Sequence, residues 1–166
     1  TVLYANQMMH IVKQLGSTLP LYIENAADFN LVGNPFFNEK SIVIIESISG
    51  DTKEVVEAVD KAHQVGAKVI GYVEKEGTAL YENSDYLVTT VGGGYYFWYT
   101  VTLRFLKNAG QFDKYDRFMK EIVHMPDAVV QIYKDADEDA RAYAEQYCDE
   151  PITYLVGAGN LEDWAT

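Results

Sequence analysis

A short apolar run, Ser41-Ile42-Val43-Ile44-Ile45-Glu46, leads directly into Ser47-Ile48-Ser49-Gly50-Asp51-Thr52 and then into Lys53-Glu54-Val55-Val56-Glu57-Ala58-Val59. Nearly continuous apolar character marks a strand buried on both faces, as a central strand of a parallel sheet should be. Apolar residues at Val55, Val56, Val59 and Ala62 then recur at helical spacing over 52–65. Strands are also expected at 67–73 and 85–90, each after a short connection. This alternation of strand and helix predicts an α/β fold with a doubly wound parallel sheet. Ligands of such sheets sit beyond the carboxyl ends of the strands, and the 47–52 turn lies at that edge.

That turn has two readings. Ser, Thr and Asp are common N-cap residues, and Asp51 with Glu54 fits a capping box. The same residues also suit an anion. Three hydroxyls and a glycine precede a helix N-terminus, where free backbone N–H groups and the helix dipole favour negative charge. Gly50 would let a ligand approach the backbone closely. Glu46, Asp51 and Glu54 lie nearby, and Lys53 is the only base of this stretch. Neutral donors would therefore carry the binding.

Around this turn the chain resembles the sugar isomerase (SIS) domain family. The pattern Ser47-x-Ser49-Gly50-x-Thr52 after a buried strand is similar to the family's sugar-phosphate loop. Leu21-Tyr22-Ile23 reads as a short strand, and Glu24-Asn25-Ala26-Ala27-Asp28-Phe29 resembles the segment before the phosphate strand. Gly66-Ala67-Lys68-Val69-Ile70-Gly71-Tyr72, Thr78-Ala79-Leu80-Tyr81 and Ser84-Asp85-Tyr86-Leu87-Val88 resemble the segments that complete the module. The likeness covers residues 1–110. Within the family it is nearest to fructosamine 6-phosphate deglycases and to the isomerase portion of glucosamine-fructose-6-phosphate aminotransferase.

The resemblance implies a flavodoxin-like αβα sandwich that binds a sugar phosphate through Ser47, Ser49 and Thr52 and the backbone of Ile48 and Gly50. Ile48 stands where the family often has a polar residue such as Gln, so a side-chain contact to the sugar is lost. The implied chemistry is acid/base proton transfer at C1–C2 of an amino-sugar phosphate, without a cofactor. No catalytic residue is assigned, because the family's Glu-x-x-Glu-Phe-x-His-Gly type segment has no counterpart here. The resemblance also implies a cytoplasmic homodimer that associates through its SIS modules. It places the opening strand and glycine-rich loop ahead of Thr1. Residues 111–150 form a helical linker, and a second module begins at 151–166 with the strand 152–156. That strand could also fill the vacant sheet position, in cis or swapped between chains. A non-catalytic module that senses sugar phosphate and a domain used for assembly are the alternative readings.

Composition narrows the partners. A net charge of −12 disfavours nucleic acid and anionic membrane surfaces. A single cysteine, Cys148, excludes an internal disulfide and fits a reducing compartment. His10, His63 and His124 are widely spaced and show no metal-ligand pattern. Tyr86 to Leu103 is uncharged but contains Gly92-Gly93-Gly94 and splits into strand, turn and helix, which rules out a membrane span. Gly92-Gly93-Gly94 could cradle a phosphate or simply make the turn. The helix from Tyr95 to about Asn108 is apolar nearly all round and is expected in the core or an interface. Two more helices are expected at 113–125 and 126–147, the second opened by Pro126. Asp135, Asp137, Glu138 and Asp139 read as a solvated face. Gly157-Ala158-Gly159 lacks the third glycine of a dinucleotide fingerprint, since position 162 is Glu162.

Overall fold

The computed structural model describes residues 2–152. The predicted strand at 152–156 and Gly157-Ala158-Gly159 lie outside the described residues. The order of elements is α1 (Val2–Gln14), α2 (Ala26–Val32), β1 (Ile42–Glu46), α3 (Lys53–Gln64), β2 (Lys68–Val73), α4 (Ala79–Asn83), β3 (Tyr86–Thr89), α5 (Gly94–Asn108), α6 (Tyr115–Glu121), a 3-10 turn (Ile122–His124) and α7 (Met125–Tyr147). The chain divides into two compact units at Thr102 and Leu103, within α5.

In the first unit, β1, β2 and β3 form a parallel sheet in that order. Ile42 stands opposite Lys68, and Ile70 opposite Tyr86. The central strand is therefore β2. The expectation that 41–46 is central does not hold among the described residues: β1 is an edge strand, and Ile42 at its start is half exposed. Leu21-Tyr22-Ile23 also forms no strand. Its apolar side chains find local partners instead, and Tyr22 stacks on Phe36 with ring centroids 5.4 Å apart.

Side-chain alternation along the strands sorts the two faces. Val69 and Val73 of β2, Val43 and Ile45 of β1, and Leu87 of β3 pack with Val59 and Ala62 of α3 and Leu80 of α4. Val59, Val69, Val73 and Leu80 are fully buried, and each such side chain stabilises the fold by about 1.5–3 kcal/mol. Tyr72 and Glu46 point to the opposite face, where they meet Phe97 and Trp98 of α5. The sheet thus has helices on both faces. Two further contacts tie α2 to α3: Asn30 donates its side-chain N–H to the Glu54 carbonyl at 2.8 Å, and Lys61 donates to the Asn30 carbonyl.

In the second unit, Arg104 and Lys107 lie over the Tyr115 ring at 5.5 and 5.0 Å, and Lys107 pairs with Asp116. The expected helix at 113–125 is shorter and ends in the 3-10 turn. Pro126 sits in the first turn of α7, where its missing N–H costs nothing. No residue of α7 is buried, and Asp135, Asp137, Glu138 and Asp139 form a solvated face. Among the described residues no helix is long and apolar enough to cross a membrane, and no cluster of three or more His, Cys, Asp or Glu residues could hold a metal.

One polar junction closes the bottom of the sheet. Asp85, just before β3, accepts from the Val69 N–H at 2.9 Å, from Lys68 Nζ at 2.6 Å and from His63 Nε2 at 3.2 Å. These donors, Lys68 foremost, hold its carboxyl down at about 2, against an ordinary value of 3.8. The stability that Asp85 supplies is complete above its unfolded value and is lost as pH falls from about 4 through 2. Wild-type protein should therefore lose more stability than Asp85→Asn between pH 5 and pH 2.5. Urea midpoints at several pH values check this; parallel curves for the two proteins would refute it.

Candidate functional site

The ladder between β1 and β2 runs one residue past β1. Ser47 donates its N–H to the Tyr72 carbonyl at 3.0 Å. The chain then turns sharply. Gly50 adopts a φ of 75°, and its N–H donates to Ser47 Oγ at 3.1 Å. This turn gathers three hydroxyls. Ser47 Oγ lies 3.3 Å from Thr52 Oγ1 and 3.5 Å from Ser49 Oγ, and Ser49 Oγ lies 3.3 Å from Thr52 Oγ1. Ser47 is buried at the base, while Ser49 and Thr52 are exposed at the rim.

Thr52 is the N-cap of α3, yet its side chain makes no capping hydrogen bond. The first helical bond runs from the Val56 N–H to the Thr52 carbonyl. That leaves the N–H groups of Lys53, Glu54 and Val55 without an intrahelical acceptor. The positive end of α3 therefore opens beside the hydroxyls, and the arrangement can hold an anion with neutral donors. The Ile48 side chain projects into solvent and leaves only its backbone to face a ligand.

The capping box expected from Asp51 and Glu54 is not formed. Asp51 instead accepts from the Ala79 N–H at 2.9 Å and caps α4, whose own N-cap Thr78 makes no side-chain capping bond. Thr78 donates its hydroxyl to the Lys75 carbonyl. The Leu80 N–H donates to the Gly50 carbonyl at 2.9 Å, so the start of α4 is clamped to the loop twice. Gly50 is also packed tightly: a Cβ there would lie 2.0 Å from Thr78 Oγ1 and 2.7 Å from Val73 Cγ2.

The strand-to-helix junction at the start of α5 is filled by the protein itself. The Gly92 N–H donates to Glu74 Oε1 at 2.8 Å, and the Gly93 N–H donates to the Tyr72 hydroxyl at 2.7 Å. That hydroxyl lies within reach of both Glu74 and the Thr90 carbonyl, and its single proton goes to one of them. Burial pushes the Tyr72 phenol up to about 12, so it keeps its proton across the physiological range. Glu46, buried at the end of β1, accepts from Trp98 Nε1 at 2.5 Å, and its other oxygen lies 2.5 Å from where a Cβ on Gly94 would sit. Gly92-Gly93-Gly94 is therefore a turn whose Gly92 and Gly93 N–H groups are satisfied internally. Sequence reading weighed Glu46 only as a charge near the loop. Its partner is 52 residues away, and only the apolar setting of a lone Glu hinted at one.

Comparison with known proteins identifies the fold. No family model matches the chain. A candidate phosphosugar isomerase of Bacillus subtilis superposes with a TM-score of 0.89 at 20% identity, over 99% of this chain and 52% of that one. The C-terminal domain of glucosamine-fructose-6-phosphate aminotransferase from Francisella tularensis gives 0.80 at 16% identity, over 99% and 50%. The chain has the fold of an SIS module. A curated relative, glutamine–fructose-6-phosphate aminotransferase (isomerizing) of Corynebacterium efficiens, is 31% identical over 93 residues, which is 56% of this chain and 15% of the relative. The corresponding enzyme of Caldanaerobacter subterraneus is 22% identical over 96% of this chain and 28% of its own length. The chain thus spans about half of the solved structures it matches and a smaller share of the curated relatives.

Among the described glycines at positive φ, Gly50 is the one that a side chain cannot replace without movement of its neighbours. A Cβ at positive φ costs about 1–2 kcal/mol, and overpacking against Thr78 and Val73 adds about 1–3 kcal/mol. Gly50→Ala should lower unfolding free energy by at least about 2 kcal/mol in urea titration, whereas Gly77→Ala, with open space around it, should cost less. Equal losses at the two positions would contradict the close packing of the loop.

Proposed function

We propose that this chain is the sugar-phosphate-binding SIS module of an amino-sugar phosphate deglycase or isomerase. The phosphate sits at 47–52, held by Ser47, Ser49 and Thr52 and by the backbone of Ile48 and Gly50. The observation that carries the reading is the gathering of three hydroxyls within 3.3–3.5 Å of one another, at a helix N-terminus whose own N-cap side chain is not used for capping. A merely structural cap would turn the Thr52 hydroxyl back onto α3.

The nearby carboxylates have other employment. Asp51 caps α4, and Glu46 is buried against Trp98. Proton transfer at C1–C2 of the sugar is accordingly assigned to groups supplied by other parts of the intact enzyme, with this module gripping and orienting the phosphate. The relatives named for amino-transfer to fructose 6-phosphate and for phosphosugar isomerisation support a substrate of this class. Homodimerisation through SIS modules and a cytoplasmic setting belong to the same proposal.

Thermal unfolding in the presence of inorganic phosphate, fructose 6-phosphate, glucosamine 6-phosphate, fructoselysine 6-phosphate and glucoselysine 6-phosphate tests the reading. Ligand at about 100 times its dissociation constant adds roughly 2.7 kcal/mol. For a domain of this size that raises Tm by about 5–10 °C. The expected result is a shift with sugar phosphates that disappears in Ser49→Ala/Thr52→Ala. An intact enzyme that binds these ligands equally well with and without the two hydroxyls would place the phosphate elsewhere.

A further inference from the structure

A buried carboxylate one residue before an anion-binding turn is an electrostatic liability. Glu46 is 4% exposed and sits between Ile45, in the core, and Ser47, at the base of the hydroxyl cluster. Burying a charge is unfavourable unless hydrogen bonds compensate for lost water, and its field opposes an incoming phosphate. An apolar residue would serve strand β1 better. The position therefore calls for a reason other than stability.

The geometry supplies one. Glu46 points to the α5 face of the sheet, away from the Ser47 side chain. One carboxylate oxygen accepts from Trp98 Nε1, itself 7% exposed, and the other lies against Gly94 at the start of α5. The end of β1 is thereby fastened to the first turns of α5 at the point where the 47–52 turn begins. On the opposite side the turn is clamped by Gly50 and Asp51 to α4. β1 is an edge strand among the described residues, so its last residue has a ladder partner on one side only. Without a side-chain anchor the turn would hang from one ladder and α4 alone.

We propose that Glu46 is the positioning residue of the sugar-phosphate loop: its bond to Trp98 sets where β1 ends and so fixes the Ser47, Ser49 and Thr52 hydroxyls for an anion. It acts as an acceptor, not as a charge. Only the affinity measurement depends on the function proposed above; the local order of the turn is a separate readout.

The variants Glu46→Gln, Glu46→Leu and Trp98→Phe separate the roles. Glu46→Gln keeps an acceptor for Trp98 and removes the charge. It should bind fructose 6-phosphate at least as tightly as wild type, with slow exchange at the Gly50 amide preserved. Glu46→Leu loses the acceptor and puts an apolar side chain in its place, and Trp98→Phe loses the donor together with part of the buried ring. Both should exchange the Gly50 amide tenfold or more faster by NMR, while the Val69 amide in β2 stays protected, and both should bind fructose 6-phosphate at least tenfold more weakly. A purely structural role would instead raise exchange at Val69 and Gly50 together. Unchanged exchange at Gly50 in both Glu46→Leu and Trp98→Phe overturns the inference. If wild-type protein binds no sugar phosphate, the functional reading fails, and the exchange data still decide whether Glu46 positions the turn.

Discussion

Parallel pairing of β1 with β2 is the constraint from which the site follows. Parallel strands demand crossover connections, and each crossover here is a helix that starts at the carboxyl edge of the sheet. The ladder ends with Ser47 bonded to the Tyr72 carbonyl. Beyond that bond the chain must reverse direction and enter α3 within a few residues, which only a residue at positive φ allows so tightly. Gly50 meets this need, and the reversal turns Ser47, Ser49 and Thr52 toward one point.

The three strand-to-helix junctions at this edge are treated differently, and at the start of α4 Asp51 and the Gly50 carbonyl take the first N–H groups. At the start of α5 the protein supplies its own oxygen acceptors: Glu74 and the Tyr72 hydroxyl take the glycine N–H groups, and Glu46 closes on Gly94. At the start of α3 no side chain takes the Thr52 capping role. With the starts of α4 and α5 occupied by the protein's own acceptors, the start of α3 is the junction left, among the described residues, for the anion proposed above. The net charge of −12 does not by itself close this place to an anion. Charges beyond about 8 Å are screened at physiological salt, and Glu46, Glu74 and Asp51 are each hydrogen-bonded within the fold.

Local features of this site were legible in the sequence. The apolar run at 42–45, the helical period after Thr52 and the hydroxyl spacing are all encoded within a dozen residues, and β1 and α3 form within a residue or two of the expected positions. What was hidden depends on partners far along the chain. Whether β1 is central or at the edge is decided by what pairs with it, not by its own hydrophobicity. Leu21-Tyr22-Ile23 has a strand-like composition but no ladder partner among the described residues, and Tyr22 stacks on Phe36 instead. Asp51 had a good local reading as a cap for α3. It lost to Ala79, 28 residues away, because the close packing of Gly50 on Thr78 brings the start of α4 to the loop.

The same packing would pre-order the loop for the proposed binding of an anion. An anion held by neutral donors gains little from each one, and flexible donors must also be ordered when the ligand arrives, at about 1–2 kcal/mol for each backbone residue fixed. Here the ordering is done during folding. Gly50 N–H is bonded to Ser47, Gly50 carbonyl to Leu80, Asp51 to Ala79 and Glu46 to Trp98. The Gly50 carbonyl, Asp51 and Glu46 are acceptors that could not themselves hold an anion, and their bonds leave the Ser49 and Thr52 hydroxyls and the first N–H groups of α3 at the rim. Acidic residues around an anion site are then not a contradiction. Asp51 and Glu46 are spent on holding the frame, and the frame presents only donors.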